Sequence, residues 1–237
     1  MERSRLAILI PAYCEERTIG TVVSRAKIYG DVIVADDNST DNTSQVAKSA
    51  GAIVLHNENN LGYEGNLNRL FNYAGIKGYQ YAVTLDADGE HRPETLETFR
   101  KLLIDDGALL VLGYRPHTQR FAETVMGFVM RLRFGIRDIL CGMKGYDMAL
   151  LKETGGVFDR SGSIGTELAL TPIHRGTAYT QVAVSGTPRV ESPRFDRTFK
   201  ANIRIFFALF RAMGADISFQ IPGNDAARTL PIDRKAS

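Results

Sequence analysis

Apolar positions in the first half of the chain follow two alternating patterns. Residues 6–10 form a short unbroken apolar run, the pattern of a strand covered on both faces. Ile19, Val22, Val23 and Ala26 then recur at helical spacing. Residues 31–35 predict a second strand that ends in the polar turn 36–41. Asp41 or a neighbour can cap the helix that follows, and Gly51 can stop it. Residues 52–55 predict a third strand. A loop at Asn59, Asn60, Leu61 and Gly62 leads into a helix marked by Leu67, Leu70, Phe71 and Ala74. Residues 81–85 predict a fourth strand with an acidic turn at its C-terminal end. Pro93 suits the first turn of a helix carrying Leu96, Phe99 and Leu103, and residues 109–112 predict a fifth strand.

This rhythm predicts an α/β fold: one Rossmann-like domain with a mostly parallel central sheet and helices on both faces. Ligands of such sheets bind beyond the carboxyl ends of the strands. Three polar sequences lie at such ends: residues 11–16, 36–41 and 86–90. The second half is less regular. Residues 121–136 predict a helix with Arg131 and Arg133 among apolar neighbours, and residues 176–185 a returning strand. Residues 201–213 set Arg204 and Arg211 beside Ile205, Phe206, Phe207, Leu209 and Phe210, an amphipathic pattern. The expected organisation is one domain over residues 1–200, an amphipathic helix within 201–220 and an irregular tail over 221–237.

Composition narrows the function classes. A chain of 237 residues can bury one core of ordinary size, and 44% hydrophobic residues exclude a disordered chain. A net charge of +2 argues against a dedicated nucleic-acid binder. The two cysteines, Cys14 and Cys141, form no paired metal or redox motif and read as free thiols in a reducing compartment. No leader pattern is visible, and no apolar run approaches the ~20 residues that span a bilayer. The expected location is cytoplasmic. Residues 201–213 leave open a peripheral contact at the inner face of the membrane, against packing on the domain or on another subunit.

Asp86, Asp88 and Glu90 are carboxylates spaced by one residue at the end of a buried strand. Carboxylates held this close repel unless a cation is present. Mg²⁺ or Mn²⁺ suits such oxygen ligands and commonly shares them with substrate phosphates. An exposed acidic turn bent by Gly89 is the other reading of the spacing alone. An EF-hand is excluded because glycine is fourth rather than sixth in the loop. A phosphatase-type aspartyl nucleophile belongs on the first strand, not the fourth.

Context makes the turn specific. Ile10-Pro11-Ala12-Tyr13-Cys14-Glu15-Glu16, Val34-Ala35-Asp36-Asp37-Asn38-Ser39-Thr40-Asp41 and Leu85-Asp86-Ala87-Asp88-Gly89-Glu90-His91-Arg92-Pro93 occur in this order. Together they resemble glycosyltransferase family 2, whose fold is GT-A, and within it the dolichyl- and polyprenyl-phosphate sugar synthases. The resemblance implies that Pro11, Ala12, Tyr13 and Glu15 line a nucleoside pocket, with Tyr13 stacking on the base. It implies that Asp37 accepts a hydrogen bond from the base and that Asp86 and Ala87 meet ribose and diphosphate. Asp88 is the implied principal metal ligand, with Asp86 shared and Glu90 a candidate where relatives often have glutamine. Cys14 departs from the family's usual asparagine. A sugar-1-phosphate nucleotidyltransferase is disfavoured because no glycine-rich loop follows the first strand.

In the second half, Leu112-Gly113-Tyr114-Arg115 resembles the family's Gly-x-Arg sequence. Arg115 and Arg120 suit bidentate phosphate binding, or form a solvated surface loop. Residues 136–144, including Asp138, Cys141, Gly142 and Lys144, are similar to the synthases' Asp-x-x-Cys/Ser-Gly-Phe-Arg/Lys motif, with Met143 in place of phenylalanine. Asp138 is implied on the acceptor side, or caps a turn. Gly165-Thr166-Glu167-Leu168 resembles a later glutamate motif, where Glu167 supports the acceptor site or pairs with an arginine. Residues 188–194 resemble an arginine-bearing segment that closes over the donor, leaving Arg189 and Arg194 both open for the diphosphate.

These resemblances imply a metal-dependent, inverting transferase that moves a sugar from a nucleoside diphosphate sugar to a polyprenyl phosphate. A polyprenyl phosphate is already ionised and needs no general base, whereas a sugar hydroxyl needs one. A saccharide acceptor in surface polysaccharide assembly and a non-catalytic nucleotide-sugar-binding protein are the competing readings.

Overall fold

The computed structural model describes residues 5–116, 130–153, 164–184 and 227–230. Their strands form one sheet in the order β3-β2-β1-β4-β6-β5-β7-β8. The strands are β1 (Leu6–Ala12), β2 (Asp31–Asp36), β3 (Ile53–His56), β4 (Tyr81–Thr84), β5 (Leu110–Tyr114), β6 (Lys144–Asp147), β7 (Tyr179–Ala183) and β8 (Ala227–Leu230). The helices are α1 (Ile19–Ala26), α2 (Thr43–Ala50), α3 (Gly62–Lys77), α4 (Leu96–Arg100), α5 (residues 130–134), α6 (Met148–Glu153) and α7 (Ile164–His174).

The unbroken apolar runs have the predicted cause. Along β1, Leu6, Ile8, Ile10 and Ala12 enter one core with Val22, Val23 and Phe99, the face covered by α1, α2 and α4. Ala7 and Leu9 enter the other, with Leu67, Leu70 and Phe71 of α3 and Leu168 of α7. Period-two alternation thus buries both faces, and no position on β1 is left polar. The GT-A α/β architecture read from the sequence is the one found.

Helix ends also follow local chemistry. Asp41 accepts a hydrogen bond from the Thr43 amide at 3.0 Å at the start of α2. Gly51 ends that helix at φ +106°, a conformation that costs glycine nothing.

β6 is the departure from the predicted order. It runs antiparallel between β4 and β5, with Thr84 opposite Lys144 and Leu112 opposite Lys144 on its other side. Its sequence, Lys-Gly-Tyr-Asp, is too short and too polar to announce a strand, and its neighbours impose the conformation. β8 lies within the expected irregular tail and pairs parallel with β7. Of the predicted helix over 121–136, residues 130–134 are helical, while 121–129 lie outside the described residues, as do 201–213.

Candidate donor site

The chain crosses from one sheet face to the other between β1 and β4. The α1 and α2 crossovers lead outward through β2 to β3, and α3 returns on the opposite face to β4. This is the switch point at which α/β sheets bind ligands. The turns carrying Tyr13, Asp37 and Asp86 all leave the sheet there.

The β1 turn is tied to the β2 turn. The Cys14 amide donates to Ser39 Oγ at 2.9 Å, and the Glu15 amide to Thr43 Oγ1 at 2.8 Å. Cys14 has φ +55°, in the left-handed region that asparagine tolerates best after glycine. That backbone accounts for the asparagine usual in the family. Glu15 also accepts from Thr18 Oγ1 at 3.1 Å, at the entry to α1. Pro11 and Ala12 are buried inside β1, while Tyr13 is half-buried just beyond it.

Asp37 lies at the start of the β2 turn. It is 2% exposed, and its carboxylate accepts from the Leu61 amide (2.7 Å), the Gly62 amide (2.9 Å) and Asn57 Nδ2 (3.0 Å). The amides at the N-terminus of α3 donate to it, so it ties the β2 turn to the start of that helix. Asp36 is likewise buried. Burial alone would raise its pKa, but hydrogen bonds from Ser39, Ser44 and His56 outweigh burial and lower it.

In the acidic turn, Ala87 is buried and Asp86, Asp88 and Glu90 are half-buried. The Glu90 amide donates to Asp88 Oδ1 at 3.0 Å, so the turn fixes the Asp88 side chain. Asp86 lies between two side chains that the sequence left without a role. Tyr63 Oη is 3.5 Å from its Oδ1, and His91 Nδ1 is 3.4 Å from its Oδ2. His91 is buried, and its Nε2 lies 3.7 Å from Cys141 Sγ. Burial disfavours the imidazolium, yet Cys141 and the Asp86 and Asp88 carboxylates lift its pKa to about 9. His91 is visible in sequence only as the residue after Glu90.

The β4–β6 pairing sets residues 138–144 against this turn. Thr84 Oγ1 donates to the Gly142 carbonyl at 2.6 Å. A Cβ at Gly142 would overlap the Asp86 carboxylate, 2.6 Å from its Cγ. Glycine is needed here for close approach, not for φ.

Two expected acceptor groups are otherwise engaged. Arg115 Nε donates to Asp138 Oδ2 at 2.8 Å and Nη2 to Oδ1 at 3.2 Å, a bidentate pair. Asp138 is 6% exposed and also accepts from the Leu140 amide at 3.2 Å. Asp138 thus joins the end of β5 to the turn before Leu140. Lys144 is 4% exposed, with Nζ on the Cys141 carbonyl at 2.6 Å. Burial pushes its pKa down, against the pull of Cys141, Asp138, Asp86 and Glu64. It stands at the first position of β6. Glu167 lies in the first turn of α7, and the Gly165 amide beside it donates to Glu64 Oε2 at 3.1 Å. Arg120, Arg189 and Arg194 lie outside the described residues.

Residues 7–127, just over half of the chain, match the family described as Glycosyl transferase family 2. The chain belongs to glycosyltransferase family 2. Among similar members, polyprenol monophosphomannose synthase of Mycolicibacterium smegmatis is 26% identical over 210 residues, covering 78% of each chain. The UDP-N-acetylglucosamine–dolichyl-phosphate N-acetylglucosaminyltransferase of Methanococcus voltae is 28% identical, over 61% of this chain and 70% of its own. An uncharacterised protein of Methanocaldococcus jannaschii is 31% identical, and this chain spans 61% of its length. The GT-A fold is shared with glucosyl-3-phosphoglycerate synthase of Mycobacterium tuberculosis, solved with Mn²⁺, UDP and glucosyl-3-phosphoglycerate. That match has a TM-score of 0.73 at 21% identity, over 92% of this chain and 82% of the other.

The family 2 acidic turn fits a hard divalent cation, but not as a complete protein cage. Among the described residues, no three His, Cys, Asp or Glu side chains converge on one ion position. Gly89, at φ +75°, turns the chain between Asp88 and Glu90. One or two carboxylates with substrate phosphates suffice for Mg²⁺. The buried Nδ1 of His91 faces Asp86 Oδ2 at 3.4 Å without a well-formed hydrogen bond.

Proposed function

We propose that this family 2 member transfers a sugar, with inversion, from a nucleoside diphosphate sugar to a polyprenyl phosphate. Tyr13 stacks on the base at the switch point, and Asp86 and Asp88 hold Mg²⁺ or Mn²⁺ beside the diphosphate. The cation supplies charge neutralisation for the departing nucleoside diphosphate. The observation that carries the acceptor is the Arg115–Asp138 pair. Asp138 and Glu167 are the carboxylates that could serve as a general base, and Asp138 is buried and bound to a guanidinium. An acceptor that arrives ionised needs no such base. The named relatives that act on polyprenol, dolichyl and undecaprenyl phosphates support the same reading.

Contact with the membrane surface follows from a lipid acceptor; no described helix is long and apolar enough to cross a membrane. The test is incubation with a panel of labelled nucleotide sugars, Mn²⁺ and polyprenyl phosphate. Label in the organic phase is expected for one donor. Label only in water-soluble saccharide would replace this acceptor with a saccharide, and donor binding without turnover would leave a binding protein. Asp88→Ala should abolish transfer with the fold intact, and normal activity in that variant would refute the metal assignment.

A further inference from the structure

His91 takes no part in the chemistry just described, yet it is the one buried side chain among the described residues with a nitrogen, Nδ1, that makes no hydrogen bond. An orphaned buried polar group costs about 1–3 kcal/mol. The fold keeps it in place between two elements of the site. Nδ1 faces Asp86 Oδ2 at 3.4 Å, and Nε2 faces Cys141 Sγ at 3.7 Å. The opposite oxygen of Asp86 is approached by Tyr63 Oη, and the carboxylate is pressed against Gly142, where no Cβ intervenes. Asp86 is thus bounded on three sides: Tyr63 Oη donates to its Oδ1 at 3.5 Å, and His91 Nδ1 stands beside its Oδ2.

We infer that His91 is a positioning residue: Nδ1–H orients the Asp86 carboxylate toward the cation and donor diphosphate, and Nε2 ties that setting to Cys141 in the 138–144 loop. The inference rests on the donor-site reading of Asp86. It extends that reading from the carboxylates to the group that aims one of them. Partners of this kind are worth about 10–100-fold in metal affinity.

Three variants separate aiming from packing. Asn places an amide nitrogen near the Nδ1 position of histidine, Gln places one near Nε2, and Phe keeps the ring volume with neither. Mn²⁺-dependent binding of UDP and GDP is measured by calorimetry, with thermal unfolding in parallel. His91→Gln and His91→Phe should weaken Mn²⁺-dependent binding by about tenfold or more, while His91→Asn stays near the parent. Equal binding by all variants would overturn the inference, as would His91→Asn falling as far as His91→Gln. A parent that binds neither nucleotide with Mn²⁺ would overturn the donor-site reading, and the inference with it.

Variants that fail to fold are bypassed by ¹⁵N NMR of the parent's imidazole. Adding Mg²⁺ with the nucleotide should move the His91 Nδ1 resonance. A resonance that stays put overturns the inference while leaving nucleotide binding intact.

Discussion

Asn57 Nδ2 donates to Asp37 Oδ1 at 3.0 Å in a buried pair, and the same Asn57 nitrogen lies 2.7 Å from Asn66 Oδ1. One carboxylate thereby joins the end of β2, the loop after β3 and the body of α3. Asp37→Ala would strand the Leu61 and Gly62 amides and Asn57 together. It should cost about 3 kcal/mol, as loss of a buried charged hydrogen-bonding partner does. Urea unfolding checks this, and a loss under ~1 kcal/mol would show that Asp37 does not anchor α3.

Arg115 and Asp138 should behave as one unit. Arg115→Ala leaves a buried carboxylate with only backbone donors, and Asp138→Ala leaves a guanidinium without its fork partner. Each single change should cost about 2–3 kcal/mol, and the double change clearly less than their sum. Additive losses in the double-mutant cycle would show that the two act separately.

Gly142→Ala should reduce donor affinity more than stability. Its Cβ would displace the Asp86 carboxylate from its present position. The Mn²⁺-dependent Kd for nucleoside diphosphate is expected to rise by about tenfold, the scale of second-layer changes at metal sites. An unchanged Kd would mean that Asp86 moves without consequence for binding.

Acid stability should depend on Asp36. Its folded pKa lies below the ordinary value, because hydrogen bonds from Ser39, Ser44 and His56 outweigh its burial. A carboxylate of this kind stabilises the fold above its unfolded pKa, and the benefit disappears as pH falls through the folded value. Stability should therefore decline as pH drops below about 4. Ser44→Ala should make that decline shallower, and an identical pH profile in the variant would remove Asp36 as its cause.

The first four strands and three helices were legible because each follows from local pattern. Runs such as Leu6–Ala12 are apolar at every position because both faces are buried. The candidate turns were legible because ligand chemistry in α/β sheets collects at strand ends, and Tyr13, Asp37 and Asp86 all stand there. Which carboxylate faces a ligand was not legible, because that depends on what else reaches it. Asp36 and Asp37 are adjacent in sequence, yet one is held by Ser39, Ser44 and His56 and the other by α3 amides.

By itself, then, the sequence determined the parallel α/β scaffold, the order of the polar turns at its strand ends and the membership of family 2, since these are set by period, spacing and motif along the chain. Tertiary structure alone decided that β6 runs backward beside β4, because only the unpaired edges of β4 and β5 make a strand of Lys144–Asp147. That pairing brings Gly142 and Cys141 onto Asp86 and His91 across 50 or more residues of chain. Contacts at such separation leave no period in the sequence, so the partners of Asp86, Asp138 and Lys144 became visible only once the sheet had closed.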